Sequence, residues 1–217
     1  MLIGERANMI SVREGLERLR EGNRRFVSGG GGREAMEDKA RRRELAAGQE
    51  PFAIVLGCSD SRVPAEIIFD QGLGDLFVIR VAGNIVAPSQ IGSVEFAAER
   101  FGTRLVVVLG HSECGAVLAT LEELQQPSEC RRRNPPSIVG RVRPAIEALL
   151  ATELRNDPAS LLSHAVEANI RASVSQLRRG SDILERLIAT DGLLVVGAEY
   201  SLETGIVRFF DGEDPPA

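Results

Sequence analysis

Four short runs of apolar residues, separated by longer amphipathic segments, dominate the hydrophobic pattern of the chain. The runs cover residues 52–56, 76–79, 105–109 and 193–196. They are continuous rather than alternating, which is typical of strands that are buried on both faces of a parallel sheet. A fifth run, residues 206–210, follows the turn near Gly205 and predicts an edge strand antiparallel to the fourth.

Two helices are predicted before the first strand. Apolar residues between positions 12 and 28 recur at helical intervals, and Ser11 with Glu14 has the spacing of a capping box at the start of this helix. Residues 34–47 are charged and rich in helix-favouring residues. Together these segments predict an N-terminal helical arm over about residues 11–48.

Helical patterns also fill the segments between the later strands. These further helices are predicted over residues 90–101, 113–125, 137–152, 159–179 and 181–190. No internal repeat or linker stands out, so we expect residues 1–217 to form a single α/β domain. Its mainly parallel central sheet would have four parallel strands plus a C-terminal antiparallel edge strand, with helices on both faces.

Composition narrows the possible partners. Hydrophobic residues make up 43% of the 217 residues, which excludes a disordered chain. The net charge of −5 argues against a nucleic-acid partner, since proteins that bind nucleic acid usually carry a basic surface. With no Trp, one Tyr and eight Phe, aromatic platforms for stacking bases are also scarce.

The compartment can be inferred from three features of the sequence. No stretch reaches the roughly 18 apolar residues of a membrane helix, and polar residues interrupt the apolar start of the chain, unlike a signal peptide. Three cysteines in a chain of this length do not resemble a secreted disulfide framework. We therefore expect a cytoplasmic protein without a membrane partner, in which the cysteines are free to act as ligands or nucleophiles.

The reactive side chains are few, and most of them follow two of the predicted strands. The first strand runs into Cys58, Asp60 and Arg62, and the third runs into His111 and Cys114. Because ligands bind beyond the carboxyl ends of strands in open parallel sheets, both segments are expected at one edge of the sheet. Two thiols and one imidazole form a ligand set that suits Zn²⁺.

Asp60 and Arg62 have two possible roles beside such a metal. Arg62 can grip the carboxylate bidentately, so that Asp60 stays ionised and accepts a hydrogen bond from a zinc-bound hydroxide. Asp60 can also serve as the fourth zinc ligand, which would close the site to water. The sequence leaves both arrangements open.

A mechanism without a metal is an alternative interpretation of these residues. Cys58 could be a thiol nucleophile with His111 as base and Asp60 orienting it, without any metal. The other cysteine and histidine, Cys130 and His164, have no comparable neighbours in the sequence, and we expect them to be non-catalytic.

At these residues the sequence resembles the β-class carbonic anhydrases. Residues 58–62 (Cys-Ser-Asp-Ser-Arg) and His111-x-x-Cys114 match the zinc and Asp–Arg signature of that family. Further segments that are similar to the family lie at residues 19–26, 52–57, 72–80 and 92–97. The resemblance covers about residues 12 to 211.

The resemblance implies reversible hydration of carbon dioxide to bicarbonate and a proton. It implies one Zn²⁺ per subunit bound by Cys58, His111 and Cys114, and an active homodimer or homotetramer whose N-terminal helix contacts the partner subunit. It also implies four substrate-binding residues: Gln49 and the Gly115 amide for bicarbonate oxygens, and Phe77 and Ala82 for the carbon dioxide pocket.

Two further functions fit the same resemblance. A zinc hydrolase acting on carbon disulfide or carbonyl sulfide would need the same metal centre and a similar apolar channel. A bicarbonate sensor would bind bicarbonate without turning it over, which the intact Asp60–Arg62 pair disfavours.

Overall fold

The computed structural model describes residues 10–30, 39–126 and 137–210. Within these ranges the chain forms one five-stranded sheet. The strands are β1 (Ala53–Gly57), β2 (Leu76–Arg80), β3 (Leu105–His111), β4 (Leu194–Tyr200) and β5 (Val207–Phe210). Their spatial order is β2-β1-β3-β4-β5, with β1 to β4 parallel and β5 antiparallel to β4. The predicted sheet is therefore confirmed.

Helices cover both faces of the sheet. The helices are α1 (Val12–Val27), α2 (Lys39–Leu45), α3 (Ala65–Ile68), α4 (Pro88–Arg100), α5 (Gly115–Gln125), α6 (Ser137–Ile146), α7 (Pro158–Arg179) and α8 (Asp182–Thr190). Short 3₁₀ turns occur at Ala82–Asn84, Glu147–Ala151 and Glu153–Asn156. None of these helices is both long and apolar enough to cross a bilayer.

Two of the predicted helices differ from the structure for local reasons. The predicted helix over 137–152 continues as a 3₁₀ turn after Ile146, where the backbone leaves the α-helical region with a φ of −121°. Helix α5 begins two residues late, since Glu113 adopts a left-handed backbone with φ of 54°. Part of the predicted helix over 34–47 lies outside the described residues.

The sheet is buried on both faces, which explains the continuous apolar runs. Along β1, Ile54 and Leu56 point into a core that includes residues of α4 to α8, whereas Ala53 and Val55 point into a core under α1 and α3. Every residue of β1 and β3 is buried. Neither strand has a solvent-facing side that would require alternating polar residues.

Helix α1 is fixed to its own chain. The predicted capping box is present, and Leu16 and Leu19 are buried against the sheet. The buried Asn23 amide donates to the carbonyls of Ile68 and Gly205 at 3.2 and 2.9 Å, and its oxygen accepts from the Val207 amide at 2.9 Å. Leu16 and Leu19 are therefore covered by their own sheet, and the implied contact of this helix with a partner subunit stays a prediction.

Alanine substitutions at two helical glycines test the packing of α1, because we expect them to change the free energy of unfolding in opposite directions. A Cβ at Gly22 would lie 1.8 Å from the backbone oxygen of Phe69, whereas a Cβ at Gly92 of α4 would meet nothing within 4 Å. We expect Gly22→Ala to lower the free energy of unfolding by about 1–3 kcal/mol through overpacking. Gly92→Ala should raise it by up to about 1 kcal/mol, because Ala favours the helix. Urea denaturation checks both, and equal effects would contradict the α1 packing.

Candidate metal centre

Two neighbouring strands deliver the predicted ligands to one edge of the sheet. Cys58 directly follows β1, His111 is the last residue of β3, and Cys114 is the N-cap of α5. One ligand atom from each of the three residues, two thiol sulfurs and one ring nitrogen, lies within 4.8 Å of the other two. The structure thus confirms that these three side chains converge, as the parallel pairing of β1 and β3 predicted.

The turn between His111 and Cys114 is held by strand β4. The Ser112 amide donates to the Tyr200 carbonyl at 3.0 Å, and the Ser112 hydroxyl accepts from the Leu202 amide at 2.9 Å. The left-handed backbone of Glu113 then reverses the chain direction. Cys114 is thereby returned towards His111 at the start of α5.

The His111 ring is oriented as a metal ligand. It is fully buried, and its Nδ1 lies 2.8 Å from the Ser112 carbonyl oxygen, which can only accept a hydrogen bond. Nδ1 therefore carries a proton, so in the neutral ring it is Nε2 that keeps a lone pair. Nε2 is buried without a hydrogen-bond partner among the described residues. An orphaned imidazole nitrogen beside two thiols fits a metal ligand whose other nitrogen fixes the tautomer.

The two thiols are buried, form no disulfide, and are hydrogen-bonded to each other. The Cys58 sulfur accepts backbone hydrogen bonds from Asp60 at 3.4 Å and Gly83 at 3.3 Å. A hydrogen bond from Cys114 lowers the pKa of the Cys58 thiol to about 4, and the same bond raises the pKa of Cys114. Of the two thiols, Cys58 therefore releases its proton more readily. Two sulfurs and one imidazole nitrogen fit Zn²⁺.

Asp60 is held beside the ligand cluster by Arg62. The guanidinium donates to both carboxylate oxygens, from Nε to Oδ1 at 3.0 Å and from Nη2 to Oδ2 at 2.7 Å. These hydrogen bonds are the main reason that the pKa of Asp60 lies well below its usual range. Asp60 Oδ2 lies 3.9 Å from His111 Nε2. The carboxylate is thus ionised, oriented and adjacent to the candidate metal position.

Arg80 also fixes this loop, although the sequence analysis did not include it among the site residues. Its Nε donates to the Cys58 carbonyl at 3.0 Å and its Nη2 to the Asp60 carbonyl at 2.6 Å. Its position in the sequence could have indicated this role, because Arg80 ends β2, the other parallel neighbour of β1. Residues that end adjacent parallel strands meet at the same edge.

Of the four predicted substrate residues, Ala82 and Gly115 lie beside the candidate metal ligands, whereas Phe77 and Gln49 lie farther from them. Ala82 precedes Gly83, whose amide contacts Cys58, and Gly115 follows Cys114. Phe77 lies near the start of β2, where its ring packs with Phe96 and Phe101 at centroid distances of 6.3 and 5.9 Å.

Gln49 lies at the other edge of the sheet. It is exposed, it precedes β1, and it shares an open cavity with Leu73 and Gly74, which precede β2. Cys58 follows the opposite end of β1. Gln49 is therefore not brought to the metal ligands of its own chain.

The remaining cysteine and histidine do not join the cluster in the described part of the chain. His164 is exposed on α7, and its Nδ1 lies 2.7 Å from the Ser160 carbonyl oxygen. Cys130 lies outside the described residues, as does the arginine run that follows it.

Comparison with known proteins adds independent evidence. The family model described as carbonic anhydrase matches residues 53–207. Carbonic anhydrase 2 of Mycobacterium tuberculosis is 40% identical over 190 residues, which cover 86% of this chain and 87% of that protein. The carbonic anhydrase of Mycolicibacterium smegmatis is 40% identical over 193 residues, covering 88% and 89% respectively.

Solved structures show the same relationship at the level of the fold. The β-carbonic anhydrase CcaA has a TM-score of 0.70 at 27% identity, covering 93% of this chain and 86% of that one. The β-carbonic anhydrase CafA of Aspergillus fumigatus has a TM-score of 0.68 at 28% identity, covering 80% and 82%. With the Cys–His–Cys cluster at the carboxyl edge of the sheet, these similarities show that the chain belongs to the β-class carbonic anhydrase family.

Proposed function

We propose that the protein catalyses the reversible hydration of carbon dioxide to bicarbonate and a proton. The observation that carries this proposal is the convergence of Cys58, His111 and Cys114 beside an ionised Asp60 in a chain of this family. These three residues would hold one Zn²⁺ per subunit. Bound zinc would act as a Lewis acid, lowering the pKa of a water molecule to about 7 and so providing a nucleophile at neutral pH.

Asp60 is proposed to orient that nucleophile. Ionised carboxylates only accept hydrogen bonds, so Asp60 can accept a hydrogen bond from the attacking oxygen and so direct a lone pair of that oxygen towards the carbon of carbon dioxide. Arg62 engages both carboxylate oxygens, which fixes the plane of the carboxylate. We favour this role over direct ligation of zinc, because ligation would have to compete with two charge-assisted hydrogen bonds.

The substrate would bind where α5 begins. The amides in the first turn of a helix have no intrahelical partner and attract anions, so the Gly115 amide is a suitable donor to a bicarbonate oxygen. A Cβ at Gly115 would meet nothing within 4 Å, which shows open space at this position. Ala82, half-buried beside Gly83, would contribute to the apolar wall for carbon dioxide.

A second copy of the chain would complete the site. Gln49 lies before the first residue of β1, whereas the candidate metal ligands of its own chain lie beyond the other end of that strand. It could therefore bind bicarbonate only in the site of another subunit. Strand β2 is an edge strand, and Phe96, which packs against Phe77 of β2, is 54% exposed. An exposed aromatic side chain beside a strand whose outer side has no partner strand in the described residues favours a homodimer or homotetramer built through β2, with Phe77 near the interface.

The proposed location is the cytoplasm. Cys58 and Cys114 are both free thiols, and metal binding requires them to remain reduced. A reducing compartment maintains that state.

Loss of a ligand should abolish zinc binding and catalysis together. In Cys114→Ala one of three protein ligands is missing, so we expect zinc content to fall from one ion per chain to nearly none. Stopped-flow measurement should show hydration of carbon dioxide at the uncatalysed rate. Cys130→Ala is the matched control, which should keep both zinc and activity.

The hydration assay, run beside a sulfide-release assay and a bicarbonate-binding assay, has three outcomes that would contradict the proposal. Full hydration activity in zinc-free protein would favour the metal-free thiol mechanism. Sulfide release from carbon disulfide by zinc-loaded protein that does not hydrate carbon dioxide would favour the alternative hydrolase. Bicarbonate binding without turnover of any of these substrates would favour a sensor.

The geometry of the Asp60–Arg62 pair can be tested by a substitution that keeps the charge. Arg62→Lys retains the cation but cannot form two parallel hydrogen bonds to the carboxylate. We expect kcat to fall by about 10–100-fold, as is typical when a partner of the inner site residues is lost. Zinc content should not change, because Arg62 is not a ligand.

Arg186→Lys, at an exposed ion pair with Glu99, is the control and should keep the original kcat. An unchanged kcat in Arg62→Lys would show that the bidentate grip is not needed. Loss of zinc in that variant would show that Arg62 maintains the metal site instead of orienting Asp60.

A further inference from the structure

The middle of α7 lies directly behind the candidate metal centre, although none of the three ligands is on this helix. Its buried face is mostly apolar and carries two buried polar residues in successive turns, Asn169 and Ser173, each 3% exposed. A buried amide and a buried hydroxyl are costly unless each finds a partner. Their partners therefore indicate what these residues do.

Both side chains bind the 3₁₀ turn Ala82–Asn84. Asn169 Nδ2 donates to the Gly83 carbonyl at 2.7 Å, and Ser173 Oγ donates to the Asn84 carbonyl at 3.0 Å. The two donors are four residues apart on one face of α7, and they bind two consecutive carbonyls. This pair of bonds fixes the orientation of the peptide groups in the turn.

The turn needs such support because its backbone is strained. Gly83 has a φ of 67° and Asn84 a φ of 42°, so two consecutive residues are left-handed. That conformation is disfavoured for a residue with a side chain and persists when surrounding contacts hold it. The same turn presents the Gly83 amide to the Cys58 sulfur at 3.3 Å.

Close packing connects the turn and α7 with the backbone beside the other two candidate ligands, Cys114 and His111. A Cβ at Gly83 would lie 3.0 Å from Cβ of Ala116, in the helix that Cys114 caps. A Cβ at Gly110, the residue before His111, would lie 2.4 Å from Cδ1 of Ile170 on α7. The segment of α7 from Asn169 to Ser173 thus touches the backbone beside the ligands.

We propose that Asn169, assisted by Ser173, is a positioning residue of the metal centre. By binding the Gly83 carbonyl, Asn169 fixes the peptide group that follows Gly83 and so restrains the left-handed backbone of Gly83, on whose other side the Gly83 amide donates to the Cys58 sulfur. A hydrogen bond to a thiolate stabilises the anion and withdraws charge from the sulfur, and so tunes the affinity and Lewis acidity of the bound metal. The inference rests on the zinc site of the proposed function, but it concerns metal binding and not the substrate.

The direct test removes the amide and reads out the metal. Asn169→Ala is expected to weaken zinc binding by about 10–100-fold in competition with a chelator, the usual range for outer partners of ligands. In the cobalt-substituted protein, the thiolate-to-cobalt charge-transfer band should shift relative to the unmodified protein. Leu177→Ala, in the same helix and also fully buried, is the control for general destabilisation. It should lower Tm but leave zinc affinity and the cobalt band unchanged.

A second pair of variants covers the case in which Asn169→Ala does not fold. Ser173→Ala removes a single hydroxyl and should weaken zinc binding by a smaller factor, whereas Ser173→Thr, which retains the hydroxyl, should restore it. The inference is overturned if Asn169→Ala, or Ser173→Ala in its place, keeps the original zinc affinity and cobalt band. It is also overturned if Leu177→Ala changes both as strongly.

These results separate the inference from the proposed function. If the unmodified protein binds zinc but does not hydrate carbon dioxide, the proposed function fails while the metal-binding data still judge Asn169. If hydration is observed and the Asn169 and Ser173 variants bind zinc normally, only the inference fails.

Discussion

The parallel pairing of β1 with β3 is the constraint on which the site depends. Gly57 pairs with Leu109, so Cys58 and His111 leave the sheet at the same edge. A shift of register by one residue would turn every side chain of a strand towards the other face, and both faces of this sheet are buried. The packing that stabilises the fold therefore also fixes the relative positions of the ligands.

The charge of the ligand cluster explains much of the surrounding polar structure. A thiolate at Cys58 is buried, and it accepts amide hydrogen bonds from Asp60 and Gly83. Arg80 fixes the carbonyls of the same loop, and Arg62 keeps the neighbouring carboxylate ionised. In a buried site such groups need compensation, and here backbone amides, guanidinium groups and the proposed divalent cation share that task.

The sequence predicted the sheet and the three ligands because both depend on strong, local signals. Buried strands require continuous apolar runs, and the carboxyl ends of adjacent parallel strands share an edge. Gln49 shows the limit of motif spacing: it lies before β1, so it is at the wrong edge to serve its own subunit's site. Helix α3 was missed because four residues are too few to show a period. The role of Asn169 depends on a contact 86 residues away in the sequence, which no local pattern reveals.

The most direct test of the central claim is zinc K-edge X-ray absorption spectroscopy of the zinc-loaded protein. We expect two sulfur atoms at about 2.3 Å and one histidine nitrogen at about 2.0–2.1 Å, with the remaining position filled by a light atom. That pattern matches the donor atoms of Cys58, Cys114 and His111. A first shell of four sulfurs, or of oxygen and nitrogen atoms alone, would contradict the account.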